Sequence, residues 1–317
     1  MTAYLYTVGK GLWKLNSVLS YRFSRTDGEE CEEATITIPY DPQQKEVLEH
    51  GYRLVLIEGN KAVYVGILDG FSAVIGSEGR TVSIQSRGMQ AFLMDNEMRA
   101  KLYPVLDLQT AVYDFCYNNN AEMVEWAQDM PPVENFYIES GQTAWEALRG
   151  FCRQSMNARP RCSANGTVYL VPPAPNFRSI TEGNAILRAE YRYNRKGAIT
   201  RQTIVAHNGD GTQSDVETAT HDELIALAVR SERITLHQGK NLKASWRTAS
   251  QRVDDSVRRG REISLLLGEA YWAEPGDFVY VNLPQLGIMG QYTLQKIIHS
   301  MDDSLGRRTE LVLEAPL

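Results

Sequence analysis

The sequence has no apolar run long enough to cross a membrane and no export signal at its amino terminus. Its longest apolar patches, such as residues 54–57 and 224–229, are far shorter than the roughly 18 residues that a membrane helix needs. The first residues, MTAYLYTVGKGLW, lack the charged and then apolar layout of a secretory leader. We therefore expect a chain that is synthesised in a cytoplasm and does not insert into a membrane by itself.

The chain is also poor in cysteine and histidine, with four and five residues, and neither set is clustered. Cys31, Cys116, Cys152 and Cys162 show no CxxC spacing, so we expect reduced thiols and neither disulfides nor a zinc site. The polar loop NGDGTQSD at residues 208–215 lacks the ligand spacing and the glutamate of a calcium-binding EF-hand loop. The sequence therefore predicts no metal and no cofactor.

Signatures of common catalytic sites are absent as well. The sequence has no P-loop, no GxSxG, no HExxH and no GxGxxG motif before a helix. The carboxylates crowded into residues 29–33 are more typical of a solvated loop or an acidic lining than of the acid/base pair of a glycosidase. The net charge of −6 opposes the electrostatic attraction on which nucleic-acid binding depends. We expect neither an enzyme nor a protein that recognises specific nucleic-acid sequences.

What the sequence does contain is mainly β pattern. Ala34, Ile36 and Ile38 alternate with threonines, which predicts a strand with one buried face. Two β-rich runs, residues 53–58 and 61–68, flank Gly59-Asn60, a two-residue hairpin signal. A further pair covers residues 71–75 and 81–86. Consecutive strands with short turns predict a small β-barrel over residues 1–99.

Residues 100–175 predict a small α+β domain. Asp107 is placed to cap a helix with Leu108 and Phe115 on its apolar side, and residues 118–120 end it. Thr143 and Glu146 have the spacing of a capping box at the start of a second helix. A hairpin follows around Asn165-Gly166, and a proline-rich linker closes the domain at residues 172–175.

The rest of the chain predicts a second β-barrel interrupted by a helical insertion. The barrel comprises residues 176–207 and 260–317, and it includes a hairpin made from residues 185–194 and 199–206. The insertion covers residues 208–259, with a short helix that a second capping box opens at Thr220 and a longer helix over residues 242–259. The fold class is thus mainly β, with two small β-barrels, an α+β middle domain and a helical insertion. The two β parts share a pattern and no repeated sequence.

Three stretches resemble the baseplate hub family of contractile phage tails, R-type bacteriocins and related injection systems, the late control gene D group. The first stretch, residues 53–97, contains a V-x-x-G-x-L-D strand at residues 63–69 and ends in L-x-D-N. The second stretch, residues 142–171, is similar to the family's middle helix and hairpin. The third begins at Pro275-Gly276-Asp277 and continues through G-x-Y-x-L to a final T-x-L-x-L strand. Together these stretches cover most of the chain.

The resemblance implies a structural and non-enzymatic hub subunit in the baseplate of a virion or tail particle made in a bacterial cytoplasm. Such subunits form a homotrimer in which two barrels per chain make a pseudo-sixfold ring. That ring joins a sixfold tail tube to a threefold spike, so the implied partners are the tube protein, the spike protein and other baseplate subunits. The spike component of a type VI secretion system is a nearby relative. Those spike chains carry a long β-prism tail, and we expect this chain to differ from them in lacking one.

Two alternatives stay open at this point. One is a glycan-binding module for the host surface, with aromatic side chains near Tyr40, Tyr271 and Trp272. The lesser one is a hub with peptidoglycan hydrolase activity. Apolar residues in loops at the barrel ends are the candidate contacts with partners or other copies. These candidates are Pro39, Tyr40, Leu283, Pro284, Ile288 and Met289.

Overall fold

The described part of the first ninety residues forms seven strands. The computed structural model describes residues 1–9, 11–28, 30–77, 79–126, 129–207, 212–222, 230–236, 242–258 and 260–315. The first β module consists of these strands: β1 Thr2–Thr7, β2 Gly11–Lys14, β3 Ser20–Thr26, β4 Glu33–Pro39, β5 Gly51–Glu58, β6 Lys61–Gly76 and β7 Gly79–Gly88. A 3-10 helix at Pro42–Gln44 and helix α1, Lys45–Glu49, connect β4 to β5.

The local patterns of this module produce the predicted elements. Ala34, Ile36 and Ile38 of β4 are buried, and β5 and β6 form an antiparallel hairpin at Gly59, whose φ is +60°. The runs predicted separately at residues 61–68 and 71–75 belong to one continuous strand, β6. A register irregularity between Leu68 and Gly70 lets this long strand bend without ending.

The middle module is the α+β part of the chain. Its elements are α2 Ala91–Met94, β8 Lys101–Leu106, α3 Leu108–Ala111, β9 Val124–Trp126, β10 Val133–Ile138, α4 Ala144–Met156, β11 Arg161–Cys162 and β12 Val168–Val171. Asp107 caps α3, which continues through a π turn and a 3-10 turn to Asn120 in the left-handed conformation. The predicted capping box is present at α4, where the Glu146 carboxylate accepts from the Thr143 amide at 2.8 Å.

The segment after the linker departs from its prediction. Strand β13, Phe177–Thr181, is followed by β14, Ile186–Tyr193, and β15, Arg201–His207. The hairpin predicted between residues 185–194 and 199–206 is wrong, because β15 pairs with β16, Gln213–Thr220, and with β17, Ser231–Leu236. The apolar side chains of β15 pack against α5, Leu242–Arg258, in a separate small core. This core draws the chain away from β14.

The insertion is therefore a three-stranded sheet covered by one long helix, whereas the sequence predicted a helical segment. The short helix expected to begin at the Thr220 capping box falls largely on residues 223–229, outside the described residues. The loop at residues 208–211 lies outside them too. Among the helices in the described ranges, none is long and apolar enough to span a membrane.

The chain ends in four strands at the predicted positions. They are β18 Arg261–Leu267, β19 Phe278–Leu283, β20 Ile288–Asp302 and β21 Gly306–Glu314. With β13 and β14 they form the second β module. Strand β14 pairs with β18, β18 with β21, β21 with β20, and β20 with β19. Strand β13 joins this sheet by parallel pairing with β19.

The two β modules belong to one sheet. Its order is β14-β18-β21-β20-β3-β4-β7-β6-β5-β1-β2, with β19 and β13 attached beside β20. The mainly-β class is confirmed. The sheet is open, since its first and last described strands, β14 and β2, do not pair with each other. Over the described residues neither module closes into a hydrogen-bonded barrel, which corrects that part of the expected architecture.

Within the residues that the structure describes, four separate clusters of buried apolar side chains fill the first β module, the middle module, the second β module and the insertion. The cysteines are free thiols, as predicted; Cys116, Cys152 and Cys162 are buried and Cys31 is half-buried. Burial raises the pKa of the Cys31 thiol to about 12, which keeps it protonated and a poor nucleophile.

Candidate functional site: the junction of the two β modules

The feature that unites the molecule is the antiparallel pairing of β3 with β20. Six residue pairs form this contact, from Lys296 opposite Thr26 to Met301 opposite Tyr21. The paired strands belong to different β modules and lie more than 250 positions apart in the chain. Met301 packs against the core of the first module, so side chains as well as backbone cross the junction.

A stack of three rings covers the centre of this pairing. The His299 ring lies 4.9 Å from the Phe23 ring and 4.3 Å from the Trp272 indole, measured between centroids, and both pairs are stacked. Desolvation by burial, aided by the nearby Arg25 guanidinium, lowers the pKa of His299 to about 3. The ring is therefore neutral at physiological pH and acts as an aromatic packing group.

Arg25, on the same face of β3, connects three parts of the chain. It donates to the Glu274 carboxylate of the second β module at 2.6 Å and to the Cys162 carbonyl of the middle module at 3.3 Å. Its guanidinium also lies 3.5 Å from the Glu32 carboxylate, which is buried with it. Removing one partner from such a buried ionic cluster leaves the other charge uncompensated, at a cost of about 3–5 kcal/mol.

The titration of Glu32 reflects this burial. Desolvation raises the pKa of Glu32 to about 7, against the lowering effect of Arg25. The pKa of Arg25 is raised, because the attraction of Glu32 and Glu274 outweighs its own desolvation. The guanidinium thus keeps its charge throughout the physiological range, while Glu32 becomes fully ionised only above neutral pH.

The middle module is bound to the same junction by specific hydrogen bonds. The Trp145 indole of α4 donates to the Gly28 carbonyl, in the turn after β3, at 2.9 Å. Gly28 has a φ of +92°, and a Cβ atom there would collide with the Pro160 carbonyl oxygen. The Arg159 guanidinium lies between Asp27 and Asp255, and so ties the insertion to this turn.

A cleft of about 350 Å³ opens beside the ring stack. Lys61, Arg178, Glu58 and Glu274 bring both signs of charge to its wall, together with Trp272. This mixture favours no single class of ligand. No group of three or more potential metal-ligating side chains occurs within the described residues.

The candidate contact residues divide into two groups. Leu283 and Ile288 are buried in the core of the second β module, so the expectation that they are displayed at a loop is corrected. They form the last residue pair of the β19–β20 ladder, which turns both side chains inward. Pro284 and Met289 are exposed, and Met289 is 70% accessible. Pro39 and Tyr40 are half-buried, and Tyr40 packs against the first core.

The aromatic residues of the glycan alternative do not form one platform. Tyr40 packs against the core of the first β module, whereas Tyr271 packs against that of the second. Trp272 stacks one face on His299.

Arg25, Glu32, Glu274 and His299 were not singled out from the sequence as one site. One local signal was present: in β3 the inward positions alternate as Tyr21, Phe23 and Arg25, which places a charge where an apolar side chain is expected. The partners of such a charge cannot be inferred from this alternation.

Comparison with known proteins identifies the fold. No protein-family model matches the sequence, and no curated protein matches it. The structure is similar to the tail protein from Neisseria meningitidis MC58, with a TM-score of 0.76 and 16% identity over 99% of this chain and 96% of that chain. The 43 kDa tail protein of prophage MuSo2 from Shewanella oneidensis matches with the same TM-score and identity, over 99% and 98% of the two chains.

A third solved structure extends the similarity to injection systems. The E. coli c3393 protein, a component of the type VI secretion system described as similar to the T4 tail proteins gp27 and gp5, matches with a TM-score of 0.58. The identity is 10%, over 97% of this chain and 76% of that one. The resemblance inferred from the sequence is thus confirmed at the level of the fold: this chain has the fold of these phage tail proteins.

Proposed function

We propose that this chain is a structural baseplate hub subunit whose copies form a ring between the tail tube and the central spike. The observation that carries the proposal is the β3–β20 junction, which unites two β modules in one continuous sheet. A chain with two joined β modules supplies two units of a ring. Three chains then supply six units, which suits a connector between a sixfold tube and a threefold spike.

The chemistry of the junction supports a structural connection between the modules and no catalytic role. Arg25, Glu274 and Glu32 compensate one another's charges, and the neutral His299 ring is stacked between two aromatic rings. Each charge of the cluster thus faces an opposite charge inside the junction. Solved structures with the same fold are tail proteins, which supports a structural role. We therefore propose that the subunit is not an enzyme.

The proposal places the protein in the baseplate of a tail particle after synthesis in a bacterial cytoplasm. Its partners are other copies of itself, a tube protein, a spike protein and neighbouring baseplate subunits. We keep the predicted domains at residues 1–99 and 100–175 as part of the proposal. The second β module was predicted as residues 176–207 with 260–317, and the insertion as residues 208–259; we now assign β15, residues 201–207, to the insertion, because it pairs with β16 and β17. Pro284 and Met289 are the exposed candidates for contact with partners.

The mass of the purified chain in solution tests this function. Light scattering over a concentration series is expected to give three times the 35.7 kDa chain mass. A monomer at every concentration would overturn the trimeric hub. Binding of cell-surface glycans by that monomer would support the recognition module in its place.

A further inference from the structure

The two β modules share one strand order, although their sequences show no repeat. In the first module the order is β3-β4-β7-β6-β5-β1, and in the second it is β14-β18-β21-β20-β19-β13. Each strand of the first list thus has a counterpart in the second. The outermost pair differs, since β1 is antiparallel to β5 whereas β13 is parallel to β19.

The correspondence extends to individual residues of β6 and β20. Strand β6 has a register irregularity at Asp69, between Leu68 and Gly70, and β20 has one at Gln295, between Leu294 and Lys296. The hairpin ends of the two strands are Gly76 and Asp302. The number of residues between the irregularity and the hairpin end is the same in β6 as in β20. Residue 70 of β6 therefore corresponds to residue 296 of β20, and residue 75 to residue 301.

The counterparts differ in what pairs with their outer edges. Residues 296–301 of β20 pair with β3. The corresponding residues 70–75 of β6 pair with β7 on one edge, and no described strand pairs with them on the other. Strand β14, the counterpart of β3, pairs with β18 and ends the strand order of the sheet. The described chain therefore forms this junction once, between β3 and β20. The two strand edges that could form it a second time, those of β6 and β14, have no partner strand among the described residues.

We propose that residues 71–75 of β6 in one copy pair antiparallel with residues 189–193 of β14 in the next copy, repeating the β3–β20 junction between subunits. The inference rests on the proposed ring and identifies its subunit interface. Transferring the internal register places Ile75 opposite Ala189, Ala73 opposite Tyr191 and Phe71 opposite Tyr193.

The side chains on the two free edges suit this pairing. Phe71 packs against the first core and Ala189 against the second, so these edges present their inward faces to each other. Beyond these two residues, Ile75, Tyr191 and Tyr193 are 79%, 43% and 42% exposed in the single chain. Their internal counterparts Met301, Phe23 and Arg25 are partly or fully covered. Pairing between copies would cover exposed apolar surface in the same way.

The side chains on the opposite face of the proposed ladder do not repel one another. Its register places Val74 opposite Glu190 and Ser72 opposite Arg192, so no two like charges face each other. Glu190 is also neutralised within its own strand, where Arg188 and Arg192 lie 2.7 Å and 3.1 Å from its carboxylate. The interface is heterologous, and its repetition closes into a ring that leaves neither of these edges unpaired.

Disulfide cross-linking tests the register directly. In a Cys31→Ser background, whose other three cysteines are buried, the pair Ala73→Cys and Tyr191→Cys places thiols on facing residues of neighbouring copies. Oxidation is expected to give covalent dimers and trimers on a denaturing non-reducing gel. Two controls are expected to remain monomeric on that gel. The first is each single variant, and the second is the pair Ser72→Cys with Tyr191→Cys, whose side chains point to opposite faces of the ladder.

A second variant examines the same edge without new thiols. Ile75→Asp places a charge in the proposed ladder and is expected to convert the trimer to a monomer in light scattering. Ser77→Asp adds the same charge in the exposed turn beyond it and should leave the trimer intact. A trimer that neither cross-links through residues 73 and 191 nor dissociates on Ile75→Asp would overturn this interface while the ring survives. A wild-type monomer at every concentration would overturn the interface and the ring together.

Discussion

At the scale of single residues, the junction depends on a buried charge cluster centred on Arg25. The neighbouring Glu32 carboxylate is buried with it, and Glu274 comes from the other β module. Buried ion pairs contribute little net stability relative to apolar packing, but they penalise every arrangement in which a partner is missing. The cluster therefore favours one relative position of the two β modules over others.

Replacing Arg25 tests this account. At about pH 8, where Glu32 is ionised, Arg25→Met should lower the free energy of unfolding by about 3–5 kcal/mol, because the carboxylate stays buried without its partner. The double variant Arg25→Met with Glu32→Met should recover part of this loss, since no uncompensated charge remains. Urea unfolding measures both effects.

Arg22 offers a matched control on the same strand. Its side chain is 60% exposed and lies 4.0 Å from Glu310, so Arg22→Met should change the free energy of unfolding by less than about 1 kcal/mol. Equal losses for the two arginine variants would contradict the special role of Arg25.

His299 predicts a dependence of stability on pH. Its pKa is about 3 in the folded chain and 6.5 when solvated, so between these values the unfolded chain binds the additional proton. The stabilising contribution of the neutral ring is present above pH 6.5 and is lost as the pH falls towards 3. Glu32 acts in the opposite sense, because its raised pKa favours the folded state as the pH falls from 7 to 4.5.

The variant His299→Phe separates the two effects. It retains the ring stack and removes the titration, so its stability relative to the wild type should increase by about 1.5 kcal/mol between pH 6.5 and pH 5. Urea unfolding of both proteins across this range provides the measurement. Parallel stability curves would show that His299 is not held neutral by the fold.

At the scale of secondary-structure elements, the local signals were the reliable ones. The Gly59-Asn60 and Asn165-Gly166 hairpins and the Thr143 capping box form as predicted, because each is determined by residues adjacent in sequence. The predicted hairpin of β14 with β15 failed because β14 pairs with the distant β18, whereas β15 pairs with the strand that follows it, β16. Period-two patterns identify strands but do not specify with which strand each one pairs.

The turn between β3 and β4 provides a prediction at this scale. Gly28→Ala should be strongly destabilising and should loosen the middle module, because its Cβ atom would collide with Pro160 while φ remains positive. Gly9→Ala shares the positive φ, but nothing lies within 4 Å of its Cβ position, so it should cost only about 1 kcal/mol. Thermal unfolding distinguishes the two, and equal losses would show that the close approach of Pro160 is unimportant.

At the scale of the whole molecule, the sequence predicted two similar β parts and their order along the chain. It did not predict that these parts share one sheet, because the β3–β20 pairing joins residues at opposite ends of the chain. Their common strand order was hidden too, since Phe71, Ala73 and Ile75 occupy positions equivalent to Ile297, His299 and Met301. Topology is preserved here while side-chain identity is not.

This common topology explains how one chain can provide two units of a ring. The internal junction joins the modules of one copy, and the free edges of β6 and β14 allow the same junction to form again between copies. Ring closure would then require no contact of a new kind.

Class averages of the purified protein from negative-stain images test this central claim most directly. We expect a threefold ring of six similar lobes around a central hole, with two lobes contributed by each chain. Single two-lobed particles at all concentrations, or a ring whose lobe number is not twice its number of chains, would contradict it.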